Sequence, residues 1–128
     1  IHEVMVQYTG ASGAFPEITG DTAGDIAYQL TTQSHGSMVG LNDKSTIAVG
    51  QVCARNPDSA QNVPSQVWET DISPKDFVNG YLVGVDTLYL AGFCDAAFQS
   101  DMLINVMLEC TLEKATQASA TALALSQQ

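Results

Sequence analysis

Basic residues are nearly missing from this sequence. Lys44, Arg55, Lys75 and Lys114 stand against fourteen Asp and Glu residues, for a formal charge of −10. So acidic a chain gains little from counterion release on nucleic acid, and its mean field repels phosphate. Broad nucleic-acid binding is thereby excluded, and contact with RNA needs a local patch. Charge of either sign is scarce: 14% of residues are charged, against about a quarter in ordinary globular domains. The surface is finished with Thr, Ser, Asn, Gln, Gly and Ala, as in chains that bury much of their exterior in an assembly. Long apolar runs are absent too. None approaches the ~20 residues that cross a bilayer, and no charged-then-apolar leader opens the chain, so a soluble protein with no membrane partner is expected.

Cysteine is sparse and odd in number. Cys53, Cys94 and Cys110 lack metal-ligand spacing, and they read as three small buried hydrophobes rather than a disulfide framework. One pair plus a free thiol is the alternative. The apolar share of 45% in 128 residues argues against disorder and fits one domain with a real core.

Glycine and proline vanish partway along. All ten glycines and four prolines lie at or before Gly92, and neither occurs from Phe93 to Gln128. Turn punctuation therefore belongs to residues 1–92, the expected sheet part. "EVMVQY" alternates over Val4, Val6 and Tyr8, meets the turn-rich "TGASGA" and continues into "FPEITG", an expected N-terminal hairpin. "DIAYQLTT" puts Ile26, Tyr28 and Leu30 on one face. "STIAVGQVCAR" is a strand with Ile47, Val49 and Cys53 inward, and Gly50 a candidate bulge. "SQVWETDI" carries the only tryptophan. "YLVGVDTLYLAGF" reads as one long strand with Tyr81, Val83, Val85 and Tyr89 on one side. These make an antiparallel meander of about six strands.

"SDMLINVMLECTLEKATQ" (100–117) carries two periods at once. Every second residue from Ile104 to Leu112 is apolar, the alternation of a half-buried strand. At helical spacing the same stretch has Ser100 as N-cap, Asp101 in the first turn and mostly good helix formers. A strand would need a tight reversal within "CDAAFQSD", which lacks Gly, Pro and Asn. The Gly- and Pro-free surroundings favour helix, so residues 98–126 are the expected helical part of a single α+β domain. An all-β jelly roll, with this stretch as the last strand, is the alternative. On the helix, Leu103 and Met107 lie on one apolar strip and Ile104 and Leu108 on another. A helix apolar on two sides needs two partners, which makes these four candidate subunit-interface residues.

Catalytic patterns are weak. His2 is terminal and His35 lies in a Ser/Gly-rich loop, neither with a second ligand at a recognisable interval. Asp21 and Asp25 in "GDTAGD" lack the order of a calcium loop and suit turn capping. Ser12 in "GASGA" is not the Gly-x-Ser-x-Gly elbow. No enzyme, metal or cofactor is expected.

An N-terminal hairpin, a meander and a Gly-free helical close resemble the coat proteins of single-stranded RNA bacteriophages. "DSAQN" (58–62) falls in the connection after the central strand, where that family carries a similar Ser-Ala-Gln-Asn turn. "SDMLI" (100–104) opens the last segment much as the family's helix does. The resemblance implies an obligate homodimer whose C-terminal helices lie across the partner's sheet, closing into an icosahedral virion shell assembled in the host cytoplasm. By position it makes Lys44, Thr46, Tyr81 and Tyr89 candidates for contact with viral genomic RNA. The family's inner surface is usually basic, and four cations bear harder on that RNA role than on shell closure. A phage head-decoration or other virion-surface protein is the alternative, and a secreted, non-enzymatic binding module the second alternative.

Overall fold

The computed structural model describes residues 1–10, 13, 17, 18, 20, 22–57, 66–76, 78, 80–95, 98–114 and 116–126. Among the described residues the chain is mostly antiparallel β, with six strands in two sheets and one short helix. β1 (Glu3–Gly10) and β6 (Met102–Glu109) form a two-stranded ribbon. β2 (Thr22–Thr31), β3 (Thr46–Asn56), β4 (Gln66–Ile72) and β5 (Tyr89–Cys94) form a sheet in the order β4-β3-β2-β5. β2, β3 and β4 follow one another as neighbours; the chain then returns through a 3₁₀ turn, Pro74–Asp76, to lay β5 beside β2. That is a Greek-key order rather than a simple meander.

The ribbon packs on the sheet through side chains of even number. Val4, Val6 and Tyr8 from β1, and Met102, Ile104 and Val106 from β6, meet Ile26, Tyr28, Leu30, Ala48, Val52 and Ala54. Burial of each large apolar side chain contributes roughly 1.5–3 kcal/mol. Ile18 and Phe98 close one end, joined by an isolated antiparallel bridge.

Several expectations change. β1 pairs along its whole length with β6, from Glu3↔Glu109 to Gly10↔Met102, and no N-terminal hairpin forms among the described residues. The expected helix over 102–113 is a strand as far as Glu109. The tight reversal is not needed, because β5 and β6 belong to different sheets and do not pair with each other. Between them Asp95 N–H bonds Asp25 O and Gln99 N–H bonds Glu17 O. The helical part shrinks to α1 (Gln117–Ser126). Its N-terminus is capped by Thr116, whose hydroxyl accepts from Ser119 N–H at 3.2 Å, rather than by Ser100.

In β3, Ile47 is buried as expected, but Val49 and Cys53 face outward. The pairs Leu30↔Ala48 and Thr31↔Thr46 leave Ile47 as an extra residue. The bulge therefore sits there and not at Gly50, and it reverses the alternation beyond it. Only the last part of "YLVGVDTLYLAGF" is strand. Tyr81 instead exchanges backbone bonds with Ile1, at 2.7 Å and 2.9 Å. Gly84 lies beneath Leu123 of α1, and a Cβ there would stand 2.5 Å from Leu123 Cγ. The cysteines are also less buried than expected: all three are free, Cys53 is half-buried, and Cys94 and Cys110 are exposed.

Candidate assembly surface

The outward face of the ribbon carries the odd-numbered side chains. Met5 stands opposite Met107 and Gln7 opposite Asn105, while Thr9, opposite Leu103, is buried. Met5 is 38% exposed, Leu103 46% and Met107 66%. Among the described residues β1 and β6 pair only with each other, and β4 and β5 are the edge strands of the larger sheet. Edge strands beside apolar faces are what another chain can add to.

The outer face of the larger sheet has its own apolar ground. Trp68 and Phe93 are exposed there, and Val49 and Ile72 lie on the same face one row beyond Phe93. Part of this face is covered by the loop Ser37–Leu41, held down by Gln29. Gln29 is 1% exposed; its Nε2 donates to Ser37 O at 3.2 Å and its Oε1 accepts from Val39 N–H at 2.7 Å. The groove beside the loop measures about 590 Å³ and is lined by Met38, Val39, Leu41, Ile72 and Phe93 among others.

The four candidate interface residues divide by strand alternation. Leu103 and Met107 point outward. Ile104 packs into both core clusters and presses on Gly92, where a Cβ would lie 2.9 Å from Ile104 Cδ1. Leu108 is opposite Val4 near the ribbon's end and is 40% exposed. The four candidate RNA residues gather at one end of the larger sheet. Thr46 pairs with Thr31, and Thr31 with Tyr89. The Tyr81 hydroxyl donates to Lys44 O at 2.9 Å. Lys44 is exposed, but Asp43 precedes it, so the group brings one cation and no basic patch. "DSAQN", Ser12 and Asp21 lie outside the described residues.

The histidines serve local structure. His2 Nε2 lies 2.7 Å from Thr111 Oγ1. His35 Nε2 lies 2.8 Å from Ser45 Oγ, and that hydroxyl donates to Asp43 Oδ1 at 2.6 Å. The serine proton thus goes to the carboxylate and not to the imidazole, the reverse of an activated nucleophile. The Ser45 hydroxyl, then its N–H, then nearby His35 hold the Asp43 carboxyl below its usual range. A hydrogen bond to Asp25, with burial behind it, holds the Cys53 thiol up; burial and then Asp95 and Asp101 do the same for Cys94. Raised thiols carry little thiolate at neutral pH. Among the described residues no group of three His, Cys, Asp or Glu could hold a metal, and no helix is long and apolar enough to cross a membrane.

Sequence reasoning missed Met5, Phe93, Trp68 and Gln29. Met5 was legible from the same alternation that buries Val4 and Val6. Nothing in the sequence marks Gln29 as a buried clamp. No family model, curated protein or solved structure matches the chain.

Proposed function

We propose that this protein is a structural subunit, a capsid (coat) protein that assembles with copies of itself into a viral shell. The observation that carries the reading is the ribbon: Met5, Leu103 and Met107 lie exposed on one face, on two strands that among the described residues pair only with each other. A monomer in water would leave that face uncovered, and the cheapest cover is another copy. The scarcity of charge fits, because interface cores are depleted of charged residues. RNA contact, where it occurs, falls at the Lys44, Thr46, Tyr81 and Tyr89 end and is weak, since one cation neutralises little phosphate.

The purified chain should sediment as particles far larger than a monomer and show closed shells by electron microscopy. A chain that stays monomeric at high concentration sinks the reading.

A second reading is favoured by the two packed sheets, the Greek-key order and a helix of only ten residues. A sandwich of this kind also suits a head-decoration or virion-surface protein, whose acidity faces outward. Such a protein binds a preformed shell as a small oligomer and forms none by itself, so the same micrographs separate the two.

A further inference from the structure

The ribbon and the larger sheet pack through their inner side chains, so their outward faces lie on opposite sides of the sandwich. Both outward faces repeat in rows two residues apart, about 7 Å per step. Along the ribbon the rows are Glu3 with Glu109, Met5 with Met107, Gln7 with Asn105, and then Leu103, because Thr9 is buried. Along β3 and β4 the outward rows begin at Arg55. Cys53 with Trp68 comes next, then Gln51 with Thr70, then Val49 with Ile72. The two series match row for row: charge against opposite charge, apolar against apolar, polar against polar, apolar against apolar.

A contact between two copies has to satisfy the charges at the ends of these series. Ribbon on ribbon about a two-fold axis sets Glu3 and Glu109 either on their own counterparts or on Leu103. Larger sheet on larger sheet sets Arg55 either on Arg55 or on Ile72. The first outcome of each pair juxtaposes like charges, and the second buries a charge against an apolar side chain. Ribbon on the back of the larger sheet has neither fault. Arg55 then meets two carboxylates, which its planar guanidinium can bridge. Arg55 and Glu109 are exposed, and neither forms an ion pair among the described residues. At the other end of the series Leu103 reaches the groove beside the loop Ser37–Leu41, whose lining includes Val49 and Ile72.

We propose that the outward face of the ribbon docks on the outward face of β3 and β4 in a second copy of the chain. Glu3 and Glu109 then meet Arg55, Met5 and Met107 meet Trp68, and Leu103 enters the groove. Such a contact joins two different surfaces, so each copy uses both and the series of contacts continues until it closes. This contact rests on the self-assembly reading and deepens it, because it names the surface that the ribbon meets.

The test compares the full native chain with Arg55→Glu and with Glu109→Arg by sedimentation, with melting as the check on folding. The native chain should form particles, and Arg55→Glu should need at least ~10-fold more protein to do so. Glu109→Arg should weaken assembly in the same direction. An equal mixture of the two variants should recover it, because the introduced glutamate meets the introduced arginine and the native pair forms at the next contact. In parallel, isotope-labelled chains carrying a benzophenone side chain at residue 107 are mixed with light chains and illuminated. This arm leaves both charges native, so it decides the matter even where a charge variant misfolds. Trypsin cuts after Lys44, Arg55, Lys75 and Lys114, and residue 107 should be joined to the light peptides 45–55 or 56–75. Particles whose crosslinks join ribbon to ribbon, or that both folded variants leave unchanged, overturn this contact and leave self-assembly standing. A native chain that stays monomeric overturns self-assembly itself, so the two failures are told apart.

Discussion

Tyr28 and Gly50 face each other across β2 and β3, and the tyrosine ring fills the space where a side chain at residue 50 would stand. Glycine inside a strand marks either a bulge or a close approach, and here it is the second. Gly50→Ala puts a methyl 2.5 Å from an aromatic edge and 2.6 Å from a hydroxyl, so the rings or the strand must shift. Overpacking of this kind costs typically about 1–3 kcal/mol. Denaturant unfolding should show the midpoint falling with the slope unchanged.

The same tyrosines govern behaviour in alkali. Their folded-state values lie above the ordinary phenol value of 10.0, with Tyr28 at about 12 and Tyr8 higher. A raised folded value means stability fully present below pH 10 and lost as pH rises towards and through the folded values. Unfolding in alkali should therefore begin above about pH 10, and phenolate absorbance from Tyr8 and Tyr28 should appear only as the fold is lost. In Tyr8→Phe with Tyr28→Phe that dependence should flatten. A smooth titration of all phenols near pH 10 in a folded chain would contradict the geometry.

Gln29 predicts a local effect rather than a global one. Both ends of its amide are committed to the loop Ser37–Leu41. Gln29→Leu keeps the bulk and leaves Val39 N–H and Ser37 O without that partner, at about 1–3 kcal/mol for an unmet buried group. Hydrogen exchange at Val39 should quicken well beyond the change in β2 and β3. Equal acceleration everywhere would mean the clamp acts on the whole sheet.

What the sequence disclosed follows from where its signals are local. Alternation in "EVMVQY" and "DIAYQLTT" needs only one buried face, and Val4, Ile26, Tyr28 and Leu30 are buried as that pattern requires. Pairing is not local. β1 finds its partner about a hundred residues away, so a nearby turn was the wrong guide to its neighbour. The Ile47 bulge reversed the reading of β3 because one extra residue exchanges the two faces. Residues 102–109 misled for a related reason: helix propensity is a weak prior, and the open edge of β1 outweighs it. Of the proposed contacts, Leu103 and Met107 emerged from a helical argument yet also share a face on a strand, since residues four apart do so in both.

Adjacent residues in β6 therefore give opposite predictions. Leu103 and Met107 are 46% and 66% exposed, so removing them uncovers little that the isolated chain buries. Leu103→Ser with Met107→Ser should leave thermal stability within about 0.5 kcal/mol per site, the usual range for surface changes. If the ribbon's outward face is the subunit contact, that variant should remain folded and stop assembling. Ile104, between them, packs on Gly92 and both core clusters. Ile104→Ala should cost about 2 kcal/mol, the low end for core truncation because the site is half-buried. Its effect on assembly should track that lost stability and recover on cooling or on binding of the partner surface. Measured together, melting and sedimentation separate a residue that holds the fold from two that hold the neighbour.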